Sequence, residues 1–223
     1  MSWNEVGNEQ NTEKKEVNYL KFPEGATTIR VLDEAPYSRW THWLPAPANG
    51  GKGVGIDCIG EGCPVCAKIQ ADKARGIDRA NMRFSSKKTH SINVLVRKPS
   101  GDELAILEAG NGIFGNLKDV MVMMGTAGMQ PDLRSIDVLV NRTGTGFSNT
   151  KYSVMGLMHK VSPLTAEELA IEKYDLNELK PKLTPEQIVA VMEGAKLDEI
   201  TKSEGSAPQT NNAPVVDFTQ QVL

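Results

Sequence analysis

Four side chains able to hold a soft metal ion lie within 25 residues of one another: His42, Cys58, Cys63 and Cys66. They comprise all three cysteines of the chain and one of its three histidines. A Cys-x4-Cys-x2-Cys run with a histidine sixteen residues upstream supplies the nitrogen and sulfur donors of a closed tetrahedral Zn²⁺ site. Four protein ligands leave no position for water, so the expected ion is one structural zinc. His42 is the expected fourth ligand by proximity, with His90 as the alternative. Two rival readings stay open. Cys63-Pro64-Val65-Cys66 also has the spacing of a thioredoxin-like dithiol, which needs an exposed first cysteine at a helix N-terminus directly after a strand. Residues 55–62 are glycine-rich without a strand pattern, and Cys58 would then have no part. The other rival is three unrelated thiols and an ordinary histidine.

A second group of residues is basic and aromatic. Between positions 68 and 88, Lys68, Lys73, Arg75, Arg79, Arg83, Lys87 and Lys88 face only Asp72 and Asp78, with Phe84 among them. Tyr37, Arg39, Trp40, Trp43, His90, Arg97, Arg142, Phe147, Lys151 and Tyr152 fall on or beside segments of strand character. Cations that track phosphates, next to flat side chains that stack on unpaired bases at about 1–3 kcal/mol each, hold single-stranded nucleic acid. An RNA strand satisfies the same contacts. The competing reading makes the aromatics core residues and the charges a solvated face. No Walker-type phosphate loop and no G-x-S-x-G is present, so the chain is not expected to be an enzyme.

The elements that must carry these residues follow from periodicity. Alternating apolar and β-branched residues predict strands over 27–32, 38–44, 91–97, 103–109, 135–141 and 151–157. The Lys98–Asp102 turn makes the third and fourth a hairpin. Helices are predicted over 64–75 and over 112–124, the second with Asn111 as N-cap and Gly125 as its stop. Six short strands with one internal helix and a metal loop point to a mainly β fold with minor α, a small antiparallel barrel. Beyond Pro163, Thr165–Glu168 and Thr184–Gln187 are capping-box signals for two further helices.

Charge divides the chain in the same places. Residues 19–160 hold 18 Lys+Arg against 13 Asp+Glu, residues 1–18 hold 2 against 4, and residues 161–223 hold 5 against 11. This predicts a flexible arm over 1–18 and a polyanion-binding core over 19–160, with its zinc subdomain at 42–80. An acidic helical segment over 161–200 and a disordered tail over 201–223, with an apolar tip suited to docking on a partner, complete the expected layout. No apolar run approaches the length of a membrane span, and residues 1–5 lack signal-peptide character, so a cytoplasmic protein is expected.

Three stretches resemble the zinc-containing single-stranded DNA-binding (helix-destabilising) proteins of T-even-type tailed phages. Gly62-Cys63-Pro64-Val65-Cys66 looks like the end of that family's zinc site, with His42 and Cys58 upstream. Lys87–Val96 resembles its basic strand, with His90 where the family has an aromatic. Gly146-Phe147-Ser148-Asn149 with Lys151-Tyr152-Ser153 is similar to a loop whose aromatic lies in the DNA cleft. The resemblance implies an OB-fold carrying an inserted zinc subdomain, with DNA running between them over Lys87, Lys88 and His90 and a base stacked on Phe147. Arg39, Trp40, Arg83, Phe84, Arg97, Arg142, Lys151 and Tyr152 complete the expected contacts. It further implies a role in phage DNA replication, recombination and repair. Partners would be a polymerase, helicase loader or recombinase mediator, reached through the C-terminal region, with self-association along the DNA. The family's arm is basic, whereas residues 1–18 here are net acidic. The alternative function is a zinc-stabilised adaptor that joins proteins in a replication or transcription complex.

Overall fold

A computed structural model describes residues 17–45, 53–146 and 149–202. Seven strands form one antiparallel sheet: β1 (Gly25–Val31), β2 (Tyr37–Leu44), β3 (Val54–Asp57), β4 (Ser85–Val96), β5 (Glu103–Ala109), β6 (Asp137–Thr143) and β7 (Lys151–Gly156). Helices α1 (Pro64–Ala74) and α2 (Asn111–Thr126) lie within it in sequence, and α3 (Ala166–Leu169), α4 (Pro185–Glu193) and α5 (Leu197–Lys202) follow. The sheet path runs β3-β2-β4-β1-β6-β7, with β5 added at β4.

Strand β4 organises the sheet because three strands share it. Ser85–Ser91 pairs with β2, and further along Val94–Val96 pairs with β1. His90–Val96 pairs at the same time with β5, so β5 occupies the opposite edge. Residues 85–89 therefore keep that edge without a strand partner among the described residues. Periodicity predicts this strand only from 91, whereas the family resemblance begins it at Lys87. Ser85-Ser86-Lys87-Lys88 has no apolar alternation, and the backbone ladder with β2 is what holds it extended. Strand β3 was likewise not expected, and pairing of Val54–Asp57 with β2 overrides the low strand preference of Gly55.

Helix α2 buries Ile113, Leu117, Val120 and Met124, one stripe at helical spacing. That stripe meets Ile29, Val31, Val94, Ile136 and Val138 in the larger of two cores. A methyl group on Gly156 would come within 2.7 Å of Val120, so glycine there lets β7 approach α2. Gly110 is the N-cap, one residue before the expected Asn111. The helix runs past Gly125 and closes at Gly128, which has φ +74° and donates to the Gly125 carbonyl at 3.0 Å.

The second, smaller core gathers Leu44, Ile56, Val65, Ile69 and Phe84 with Leu183, Ile188 and Val191 of the α4 region. Both C-terminal capping boxes form, at Thr165/Glu168 and Thr184/Gln187. The intervening chain is strapped to the sheet. The Ser162 carbonyl accepts from Arg30, Glu168 pairs with Arg97 at 2.7 Å, and the Tyr174 backbone brackets the Asn93 amide. No helix among the described residues is long and apolar enough to cross a membrane.

Candidate metal centre and nucleic-acid groove

The metal cluster is assembled by two strands, a glycine turn and a helix start. His42 projects from β2, on the same face as Trp40. The Cys58 amide continues the β2–β3 ladder by donating to the Trp40 carbonyl at 2.8 Å. Gly60 (φ +82°) and Gly62 (φ +74°) then turn the chain through conformations that side chains resist. Cys63 is the N-cap of α1, with Pro64 in the first turn, and this carries Cys66 back toward Cys58.

His42 Nε2 lies 3.4 Å from Sγ of both Cys63 and Cys66, and the Cys58 and Cys66 sulfurs are 3.6 Å apart. All four donors fall within 4.8 Å of one another, so the cluster could hold a metal ion. Donors at about 2.3 Å (sulfur) and 2.0 Å (nitrogen) from a tetrahedral centre stand about 3.5–3.8 Å apart, which the short pairs match. Burial lowers the His42 pKa, which keeps the ring neutral and able to ligate, while the Ser85 backbone opposes the shift. Burial, then the hydrogen bond with Cys58 and the neighbouring sulfurs, pushes the Cys66 thiol up to about 12. Three sulfurs this close resist ionising together, and a cation offsets that cost. His90 takes no part. It bonds Ser38 at 2.7 Å and Asn111 at 2.8 Å, and its ring sits 5.0 Å from that of Phe114. A strand does precede the cysteines, contrary to the reading from glycine content, but Cys63 is only 3% exposed, unlike the leading sulfur of a dithiol catalyst.

A groove of about 670 Å³ runs along the free edge of β4, between it and the metal loop. Lys87 and Lys88 line it from β4, Trp40 from β2, Lys73 from α1 and Arg79 from the turn that follows. Cys58 and Cys66 form part of one wall, and Gly110 and Asn111 lie at its far end. No carboxylate among the described residues lines it. Trp40 stands 54% exposed, its ring available to the groove. Past Gly110 a second groove of about 630 Å³ continues over Lys21, Arg142 and Tyr152, with Glu108 at its side.

The remaining expected contacts divide by environment. Arg39 is buried and held by Asp57, Glu108 and Ser91, so it is a core cation and does not line the groove. Phe84 belongs to the second core, with only its surface at the groove. Arg83 lies over Phe84 and donates to the Met192 carbonyl. Arg97 is committed to Asp102, Asp137 and Glu168. Arg142 donates to the Phe22 carbonyl at 2.8 Å, and the Tyr152 ring meets Phe22 edge-on. Lys151 is exposed, and Phe147 lies outside the described residues. Of the basic run, Lys68 and Arg75 are taken by Asp72. Lys73 and Arg79 were not singled out from their neighbours, and their position in that run was the only signal. Comparison of the chain with protein-family models, with curated proteins and with solved structures gives no match, so the chemistry of the groove itself has to carry the functional reading.

Proposed function

We propose that the chain binds single-stranded DNA without sequence preference, in the groove between β4 and the metal loop. The carrying observation is a groove with four cations, Lys73, Arg79, Lys87 and Lys88, an open tryptophan, and no carboxylate among the described residues. Cations lining one groove follow a phosphate chain, and the Trp40 indole offers a face to a base that duplex pairing would keep stacked on its neighbours. In this reading the ion is zinc, chosen by a one-nitrogen, three-sulfur donor set, and it supplies a cross-link that fixes the groove wall. The seven-stranded sheet is then an OB-type barrel, supported by the way β4 carries β1 and β2 on one edge and β5 on the other. The role is coverage of transiently exposed strands in phage replication, recombination and repair, with replication enzymes as partners.

Titration of the chain with oligo(dT) and with duplex of equal length, at rising salt, tests this. Tight, salt-sensitive binding to oligo(dT) and weak binding to duplex are expected. Equal affinity for both, or none, would refute it and leave the adaptor reading.

A further inference from the structure

Strand β2 exposes two tryptophans on opposite faces, and only one of them enters the groove. Trp40 lies opposite Lys88 and shares the face of His42. Trp43 lies on the other face with Arg39, Thr41 and Lys87, the last directly opposite Thr41. It is 49% exposed. Its ring rests on glycine. A methyl group on Gly53 would fall 2.2 Å from the indole Nε1, and one on Gly55 would fall 3.3 Å from Cζ3. Position 53 must stay without a side chain for the ring to lie where it does, and a side chain at 55 would shift it by a few tenths of an ångström. One side of the indole is thus fixed against the β3 backbone while about half the side chain faces solvent.

We propose that Trp43 is a second stacking platform, which takes a nucleobase of the same strand after it leaves the groove over Lys87. The proposal rests on the single-strand reading above and extends it around the sheet. The route is short. Lys87 lines the groove and yet belongs to the Trp43 face, and among the described residues no strand pairs with the outer edge of 85–89 to block a crossing. From that edge the next strand inward is β2, about 4.8 Å away. A ring already immobilised on glycine loses little freedom when a base stacks on it, which favours binding.

The test uses two full-length chains with a single tryptophan. W3F/W40F keeps Trp43 as reporter, and W3F/W43F keeps Trp40. Binding is followed separately by anisotropy of labelled oligo(dT). Quenching of Trp43 on long oligo(dT), and its disappearance as the oligomer is shortened while Trp40 quenching persists, is the expected result. Trp43→Ala should weaken binding roughly 5- to 150-fold on long oligomers, the worth of one stacked base, and should not affect the shortest that binds. Trp43→Phe should restore most of the loss. Normal anisotropy binding with an unresponsive Trp43 would overturn the platform and leave the groove intact, as would an equal Trp43→Ala loss at every length. Absence of binding by anisotropy would overturn both readings together.

Discussion

Removing one groove lysine should change how DNA affinity depends on salt, by an amount set in advance by the count of open cations. Lys73, Arg79, Lys87 and Lys88 line the groove, and none has an ion-pair partner among the described residues. With about 0.7 counterions released per phosphate of a single strand, four contacts give a log–log slope near −2.8. Between 50 and 200 mM salt that slope costs about 50-fold in affinity. Lys88→Gln should reduce the slope to about −2.1, an 18-fold loss over the same range, and Lys87→Gln/Lys88→Gln to about −1.4, or 7-fold. Arg97→Gln is the control of equal charge. Its guanidinium already serves Asp102, Asp137 and Glu168, so it has no counterion to release and the slope should stay near −2.8. The assay is anisotropy of labelled oligo(dT) at five or six salt concentrations. A slope unchanged by Lys88→Gln, or one reduced equally by Arg97→Gln, would refute the assignment of the phosphate path to this groove.

Three other expectations concern stability. Chelation together with thiol blocking should open residues 42–80 to limited proteolysis while the larger core stays resistant, because a structural ion supplies folding free energy to the smaller core; uniform digestion of the chain would contradict two separable cores. Arg39→Met leaves the Asp57 and Glu108 carboxylates with Lys180, at 3.8 and 3.6 Å, as their one remaining cation among the described residues, and should cost about 3 kcal/mol in chemical denaturation. A cost under about 1 kcal/mol would place Arg39 among surface ion pairs instead. Ile188→Ala, at a fully buried position of α4, should cost about 3 kcal/mol and speed metal loss to a chromogenic chelator, since α4 shares its core with the metal loop. Unchanged metal release would show that the loop holds its geometry without α4.

What the sequence made legible depended on how locally each feature is determined. The donor cluster was readable because soft donors at loop spacing have few other uses, and the four donors do converge. Helix α2 and the β4–β5 hairpin were readable because their apolar spacing and turn residues act within a dozen positions. Extension of β4 through Ser85-Ser86-Lys87-Lys88 was not readable from local periodicity. Its cause is pairing with β2, more than forty residues earlier in the chain. Charge was legible as a tally but not as a site. Arg39 and Arg97 counted equally with Lys87 and Lys88, yet their partners Glu108, Asp137 and Glu168 come from distant segments and only folding brings them together. The residues after Pro163 gave correct helix signals, but nothing local indicated that Ile188 and Val191 complete the core beneath the metal loop.

The two cores differ in what they can support alone, and this explains why a binding groove should be built with a metal on one side only. The larger core joins β1, β4, β5, β6 and α2 around fifteen buried residues, whereas the smaller has nine, drawn from four separated stretches of chain. A core of that size buries little apolar area against the entropy of ordering its loops. The His42 and cysteine cluster links the first two of those stretches, Phe84 supplies the third, and the α4 region adds the fourth. The strap from Ser162 to Lys180 then fixes the small core to the sheet through Arg30, Asn93, Asp57 and Glu108. Lys73 and Arg79 stand on the small-core wall and Lys87 and Lys88 on the sheet. Their separation, which the proposed phosphate path would have to match, is therefore set by the donor cluster and the strap together. A change in either should weaken DNA binding without removing a single contact residue.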